Sequence, residues 1–260
     1  MAKFRQIASM MSLSTKSMLS YRSDFLIGAI GVLLFHVTNL AALYLVFSIG
    51  GSIRGWTPAQ AVFMGAISNL RFAMGGLFFW GLNQLPEFIR NGKLDRVLIY
   101  PISPVVTLLS TGVDPVGVVD LACLLGAVFW SLHSFPPLGL VNVMAFLALM
   151  VIGLLATLGF TLLTVSPSFW APSQNGFPNA FRLMWEFQPY PANLFPGSVR
   201  FLLTWMFPVA VAVSVPANVL FGQTSLGQGF AIVVLVTIVD LVAGFTAFHA
   251  GLRRYQSVGH

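Results

Sequence analysis

Five of the chain's twenty charged side chains, Glu87, Arg90, Lys93, Asp95 and Arg96, fall within ten consecutive residues. They stand in the stretch QLPEFIRNGKLDRVLIYPISP, Gln84–Pro104, between two long apolar runs. Such a stretch either pairs its charges within a solvated connection or presents a shaped, charged surface to a partner. Three further charges lie inside apolar runs: Arg71, Asp120 and Asp240, with Asp114 nearer the start of its run. An ionisable group at mid-bilayer costs about 2.5–3.5 kcal/mol on insertion scales, so each of these is a functional candidate by default. An ion pair between Arg71 and Asp240 would offset part of both costs; a proton relay or a substrate contact is the other use.

Several kinds of catalysis are excluded. His36, His133 and His249 are scattered over different runs, without an HExxH or any paired ligand spacing, which argues against a metal site. There is no G-x-S-x-G elbow. Gly92-Lys93 is the only Gly-Lys pair, and the residues before it carry no glycine for a phosphate-cradling turn. This chain does not hydrolyse ATP through a Walker A loop, and any energy it uses comes from elsewhere. The single Cys123 lies in an apolar run and leaves no disulfide framework.

The elements that must position these charges follow from composition. Apolar residues make up 57% of the chain and charged residues 8%, with a mean hydropathy of +0.86. Soluble domains carry about 25% charge. The runs are continuously apolar, not alternating, which favours helices over a β-barrel. The expected fold is an all-α membrane protein, one domain over 1–260. Six spans are predicted, at about 25–49, 57–82, 108–132, 138–164, 199–220 and 227–250. The basic lead-in, residues 1–24, has apolar residues near helical spacing and is expected to lie as an amphipathic helix in the interface. The net charge of +6 is read as topology-setting, not as a nucleic-acid footprint.

Lysine and arginine in the connections set orientation. With the N-terminus inside, one side holds Lys3, Arg5, Lys16, Arg22, Arg90, Lys93, Arg96, Arg182, Arg200, Arg253 and Arg254, and the other holds only Arg54. Both termini and the Gln84–Pro104 loop are therefore expected to be cytoplasmic, as is the proline-rich Ser166–Ser198 segment. Within that segment Asn179–Gln188 is the one stretch expected to form a short helix.

Local chemistry makes the charged loop a shaped element. Pro86 suits a first helical turn, and Glu87 is favourable there. Gly92 accepts the left-handed conformation that stops a helix, and Pro101 ends a second short one. The expected result is a hairpin, apolar along Phe88, Ile89, Leu94, Val97 and Leu98 and charged on its other side. In the fifth predicted span, Pro208 and Pro216 each remove an intrahelical hydrogen bond and are kink candidates.

Three motifs carry a resemblance to a known family: Tyr21-Arg22-Ser23-Asp24-Phe25-Leu26; Ile89-Arg90-Asn91-Gly92-Lys93-Leu94-Asp95 with Pro101; and Tyr190-Pro191 through Phe195-Pro196, followed by Pro208 and Pro216. Over nearly its whole length the chain resembles the six-span membrane subunits of type 2 ABC transporters. The resemblance implies that Glu87, Ile89, Arg90, Gly92, Lys93, Leu94, Asp95 and Arg96 form a coupling element seated on an ATP-binding subunit. It also implies that the lead-in is the family's interface helix. The working unit would be two permease chains, identical or related, with two ATP-binding subunits that carry the ATP and Mg; this chain itself would bind no cofactor. The family usually has a short re-entrant segment between its last two spans, and Ala217–Gly227 leaves little room for one. An export permease of the bacterial inner membrane is the leading expectation. An ion- or proton-coupled carrier using Asp120, Asp240 and Arg71 is the alternative.

Overall fold

The computed structural model describes residues 22–50, 53, 55–110, 116–171 and 187–256. The lead-in through Tyr21, Arg54, Asp114, Arg182 and most of the expected Asn179–Gln188 helix lie outside them. All regular structure among the described residues is helical; Ile53 and Trp56 form only an isolated antiparallel bridge.

The first half of the chain builds α1 (Arg22–Ile49), α2 (Pro58–Asn83), the short α3 (Leu85–Arg90), α4 (Lys93–Ile99) and α5 (Pro104–Leu109), then α6 (Val116–Leu132) and α7 (Leu140–Val165). A 3-10 turn, Ser166–Phe169, extends α7. After a second 3-10 turn at Ala192–Leu194 come α8 (Gly197–Phe201), a π-helical turn at Leu202–Met206, α9 (Val209–Ala212), α10 (Ser214–Leu220) and α11 (Leu226–Leu252). Helix starts are chemically marked. Thr57 and Gln60 form a reciprocal capping box on α2 with Pro58 behind it, and Ser225 caps α11.

Three segments, Leu26–Ile49, Leu140–Phe169 and Leu226–Leu252, are long and apolar enough to cross a bilayer, and α6 adds a shorter apolar helix. The protein is membrane-embedded and multi-pass. Ile27, Ile30 and Phe35 on α1 and Val239 and Val242 on α11 are more than half exposed, as expected of surfaces that meet lipid or another subunit.

Helices α7 and α11 form the closest-packed pair. A Cβ on Gly244 would run into the carbonyl of Gly159, and one on Gly159 would run into the backbone at Asp240 and Leu241. Bare glycines let the two backbones touch, which is how helices associate where lipid removes the hydrophobic drive between them.

Two apolar clusters mark the ends of the bundle. At one end Leu85, Ile89, Leu94 and Val97 of α3 and α4 pack with Leu108, Leu162, Phe169 and Phe248. At the far end Trp56, Phe63, Phe146 and Leu220 pack with Phe135 and Phe221, whose rings meet edge-on at 5.1 Å.

Residues 199–220 do not make the single span expected of them. Asn193 sits at the far end, where Trp56 Nε1 donates to its Oδ1 at 3.1 Å. Phe207 lies against Phe160, near the hairpin end of α7, at 6.1 Å between ring centroids. Val211 and Ala212 pass Gly153, and Ala217 and Leu220 rejoin the far-end cluster. The chain thus descends from Pro196 to Phe207 and climbs again from Pro208. Phe207 is extended (φ −119°, ψ 115°) at the reversal, and Val213 (φ −137°, ψ −51°) divides the ascending limb. Pro216 occupies the third residue of α10, within the first turn where its missing N–H has no intrahelical acceptor to lose. The Ser166–Ser198 connection likewise does not stay on one side: Phe169 is at the hairpin end and Asn193 at the far end. Arg200 begins the descending limb, so its charge leaves the one-sided tally.

Candidate functional site

Helices α3 and α4 meet at Asn91-Gly92, with Gly92 at φ +65°, a left-handed turn open to glycine without strain. That turn rotates alternate side chains to opposite faces. Ile89 and Leu94 are buried in the bundle end, at 3% and 0% exposure, so two of the nominated residues are anchors. Arg90, Lys93 and Arg96 are exposed on the other face, beside Leu98 and the 82%-exposed Ile99. Glu87 Oε1 lies 3.2 Å from Lys93 Nζ and accepts from Asn91 Nδ2 at 3.3 Å. Both partners of that ion pair are about half exposed, so it contributes at most about 1 kcal/mol; its effect is to hold the charges in one geometry.

Asp95 is tied elsewhere. Tyr255, just beyond α11, donates its phenol hydrogen to Asp95 Oδ1 at 3.0 Å. Burial first, then the hydrogen bond and the charge of Asp95, push the Tyr255 hydroxyl up to about 12. Phe169 packs edge-on against both Phe248 and Tyr255, at 5.5 and 6.4 Å. The hairpin is therefore bolted to the end of the final helix. Beside it Arg90, Trp170 and Arg254 line a groove of about 400 Å³ that joins α3 to the chain's last described residues. A basic, partly aromatic face of this kind can dock an acidic protein surface. No sequence signal linked Tyr255 to Asp95, which lie 160 residues apart.

Two of the charges inside the spans, Arg71 and Asp120, have partners that sequence does not display. Arg71 and Asp240 form no ion pair. Arg71, 3% exposed, donates from Nη2 to the Gly153 carbonyl at 2.7 Å, and its Nε has no hydrogen-bond partner among the described residues. Gly153 is also where the 211–212 segment closes on α7: a Cβ there would lie 3.3 Å from the Val211 carbonyl oxygen. Asp240 is buried against the Gly159 notch, with Oδ2 unpartnered among the described residues. Asp120 pairs with His36, to which the sequence pattern assigns no role: Nε2 and Oδ1 are 2.7 Å apart, and the imidazole is almost wholly buried. Its Nδ1 has no hydrogen-bond partner among the described residues. A buried polar atom left so costs about 1–3 kcal/mol. These groups do not converge on one centre, since Arg71 and Asp240 each meet α7 at a different glycine.

Pro208 stands at the reversal between the descending and ascending limbs, and the Ala212 N–H donates to the Pro208 carbonyl at 3.1 Å. Val211 and Ala212 of this region lie against Gly153, whose carbonyl accepts from Arg71.

A family model described as ABC-2 family transporter protein matches residues 33–259, most of the chain and all of the elements from within α1 onward. No curated protein and no solved structure matches it.

Proposed function

The chain belongs to the ABC-2 family of transporter proteins, and we propose from that premise that it is the permease subunit of an ATP-driven exporter in a bacterial inner membrane. An orientation with both termini cytoplasmic would place α3 and α4 inside, together with Arg90, Lys93, Arg96, Arg253 and Arg254. Two copies of a separate ATP-binding subunit, holding ATP and Mg, would drive it, alongside a second permease chain, identical or related.

The observation that carries this reading is the two-faced hairpin. Its inward face, Leu85, Ile89 and Leu94, is buried in the bundle, while its outward face offers Arg90, Lys93 and Arg96. A connector with no partner has no use for such a division. Nucleotide-driven closure of the partner can shift the bundle only through contacts that differ between the two states. The exposed charges are the groups available to make them, and the buried anchors and Tyr255 carry the movement to α7 and α11. Purification in mild detergent tests the proposal: an ATP-binding protein with its own Walker motifs should copurify. An isolated chain, together with transport that survives ATP depletion, would overturn it.

The alternative, an ion-coupled carrier, draws support from the His36–Asp120 pair and the open carboxylate oxygen of Asp240. It requires transport that collapses with an uncoupler while ATP is held constant.

A further inference from the structure

The groove of about 400 Å³ beside the hairpin is built by three separate parts of the chain: α3, the turn that extends α7, and the residues that follow α11. Its floor is apolar, since Ile89 and Phe169 are 3% and 7% exposed. Its rim is polar and open: Arg90, Trp170, Arg254 and Gln256 are all exposed. No Asp or Glu is among the described residues that line it.

Two guanidinium groups thus share one small groove, and neither has an ion-pair partner among the described residues. Like charges so placed repel, and an anion in the groove relieves the repulsion. The rim is also rich in donors. Arginine and the Trp170 indole can only donate, and the Tyr255 hydroxyl already gives its hydrogen to Asp95. Such an inventory suits a negatively charged group that only accepts, and a phosphodiester is one.

The level of the groove identifies what carries that phosphate. Two bilayer-length segments, Leu140–Phe169 and Leu226–Leu252, end beside it, and Trp170 and Arg254 stand just beyond those ends. That is the depth of lipid headgroups, where indoles collect and where basic pockets between helices take anionic heads. Lys93 and Arg96 line no part of the groove, so only Arg90 is shared with the face proposed to meet an ATP-binding subunit.

We propose that this groove binds the headgroup of an anionic phospholipid, with Arg254 and Arg90 holding the phosphate and Trp170 at the boundary with the acyl chains. Both arginines carry their charge on long rotatable stems, so their heads can close on one phosphate. The volume is at the small end of ligand sites, enough for a head while the tails stay in the bilayer. A choline head fails, because its cation would meet the two arginines. A lipid held there touches α3 and the ends of α7 and α11 together, a second tie between hairpin and bundle beside the Tyr255–Asp95 contact.

The test uses the full chain, with any subunits that copurify, in phosphatidylcholine vesicles. The probe is phosphatidylglycerol at low mole fraction, carrying a diazirine on its glycerol head. Adducts should saturate and should map to the peptides that contain Trp170 and Arg254. Unlabelled phosphatidylglycerol should displace the probe, and glycerol phosphate in the buffer should not. Arg254→Gln should weaken half-saturation about tenfold, the loss of a charge-assisted hydrogen bond. Arg253→Gln removes the same charge one residue away, outside the groove, and should leave half-saturation within about twofold. Equal losses in the two variants would reduce the effect to general attraction by a basic helix end and overturn the proposal. Adducts that do not saturate would overturn it as well. Labelling that appears only after copurifying subunits are stripped away would give the groove to an acidic protein surface, and displacement by glycerol phosphate would give it to a soluble anion; either result defeats the lipid. If Arg254→Gln fails to fold, the competition in the unaltered protein decides. Neither nucleotide nor transport enters the readout, so failure of the transport reading leaves this result standing, and the reverse holds.

Discussion

His36 of α1 and Asp120 of α6 meet at 2.7 Å between Nε2 and Oδ1, although 84 residues separate them in sequence. The contact joins two helices that also flank α2, and it gives Asp120 a partner within the bundle. Polar contacts between membrane helices contribute about 0.6–1.7 kcal/mol, no more than that because the unfolded chain in lipid also finds partners. A double-mutant cycle with His36→Ala and Asp120→Asn should therefore show a coupling energy in that range. Strictly additive single variants, measured by thermal unfolding in detergent, would remove the pair from the account.

The glycine notch between α7 and α11 makes a sharper prediction. Gly244→Ala places a methyl on the Gly159 carbonyl, and the obstruction is backbone, which cannot rotate away. The helices must separate along their main contact, a cost of about 2–3 kcal/mol by analogy with overpacked cores. Gly126→Ala on α6 has nothing within 4 Å of the new methyl. It should leave the melting temperature unchanged or raised, because alanine is the better helix former. Thermal unfolding followed by size-exclusion chromatography separates the two outcomes.

The Tyr255–Asp95 contact has a pH signature. An unfolded phenol ionises near about 10, and the folded one is pushed up to about 12, so folding favours the neutral form. The stability it contributes is present in full below about pH 10 and is lost as pH climbs through about 12. In ultraviolet titration, the difference between the unaltered protein and Tyr255→Phe should show one tyrosinate appearing near the upper value. Asp95→Asn should bring that transition down, since the neighbouring negative charge is gone. A difference spectrum centred near 10 in both backgrounds would contradict the contact.

The two faces of the hairpin should respond differently to substitution. Arg90→Glu reverses an exposed charge that no packing depends on; it should leave the chain folded and inserted while ATPase activity and transport separate. Leu94→Ala empties a site that is 0% exposed and should cost about 2–5 kcal/mol of stability. Asp95→Lys combines both effects, because Asp95 also accepts from Tyr255. Normal coupling in Arg90→Glu would locate the partner's grip elsewhere on this end of the bundle.

What could be read from residues alone was what depends on near neighbours and on bulk composition. A chain with 57% apolar and 8% charged residues cannot remain outside a membrane, and uninterrupted apolar runs in lipid must satisfy their backbone as helices. Capping and helix-breaking chemistry is equally local: Thr57 with Gln60, Gly92 and Pro208 act through bonds within a few residues of themselves. The cost of burying Arg71, Asp120 and Asp240 was also visible, because it follows from their placement inside apolar runs.

What answers that cost was not. Arg71 is held by a backbone carbonyl at Gly153, a group that every residue possesses and that becomes a partner only when helix rotation and register bring the two together. His36 finds Asp120, and Tyr255 finds Asp95, across separations over which sequence carries no pairing signal. Likewise the reversal at Phe207 follows from where Trp56, Phe160 and Gly153 offer contacts, not from the prolines alone, which would fit a kinked span equally well. Local chemistry determined which segments are helices and which charges need partners. Tertiary packing decided which partners they have, because docking angle and axial register are set jointly by all the helices.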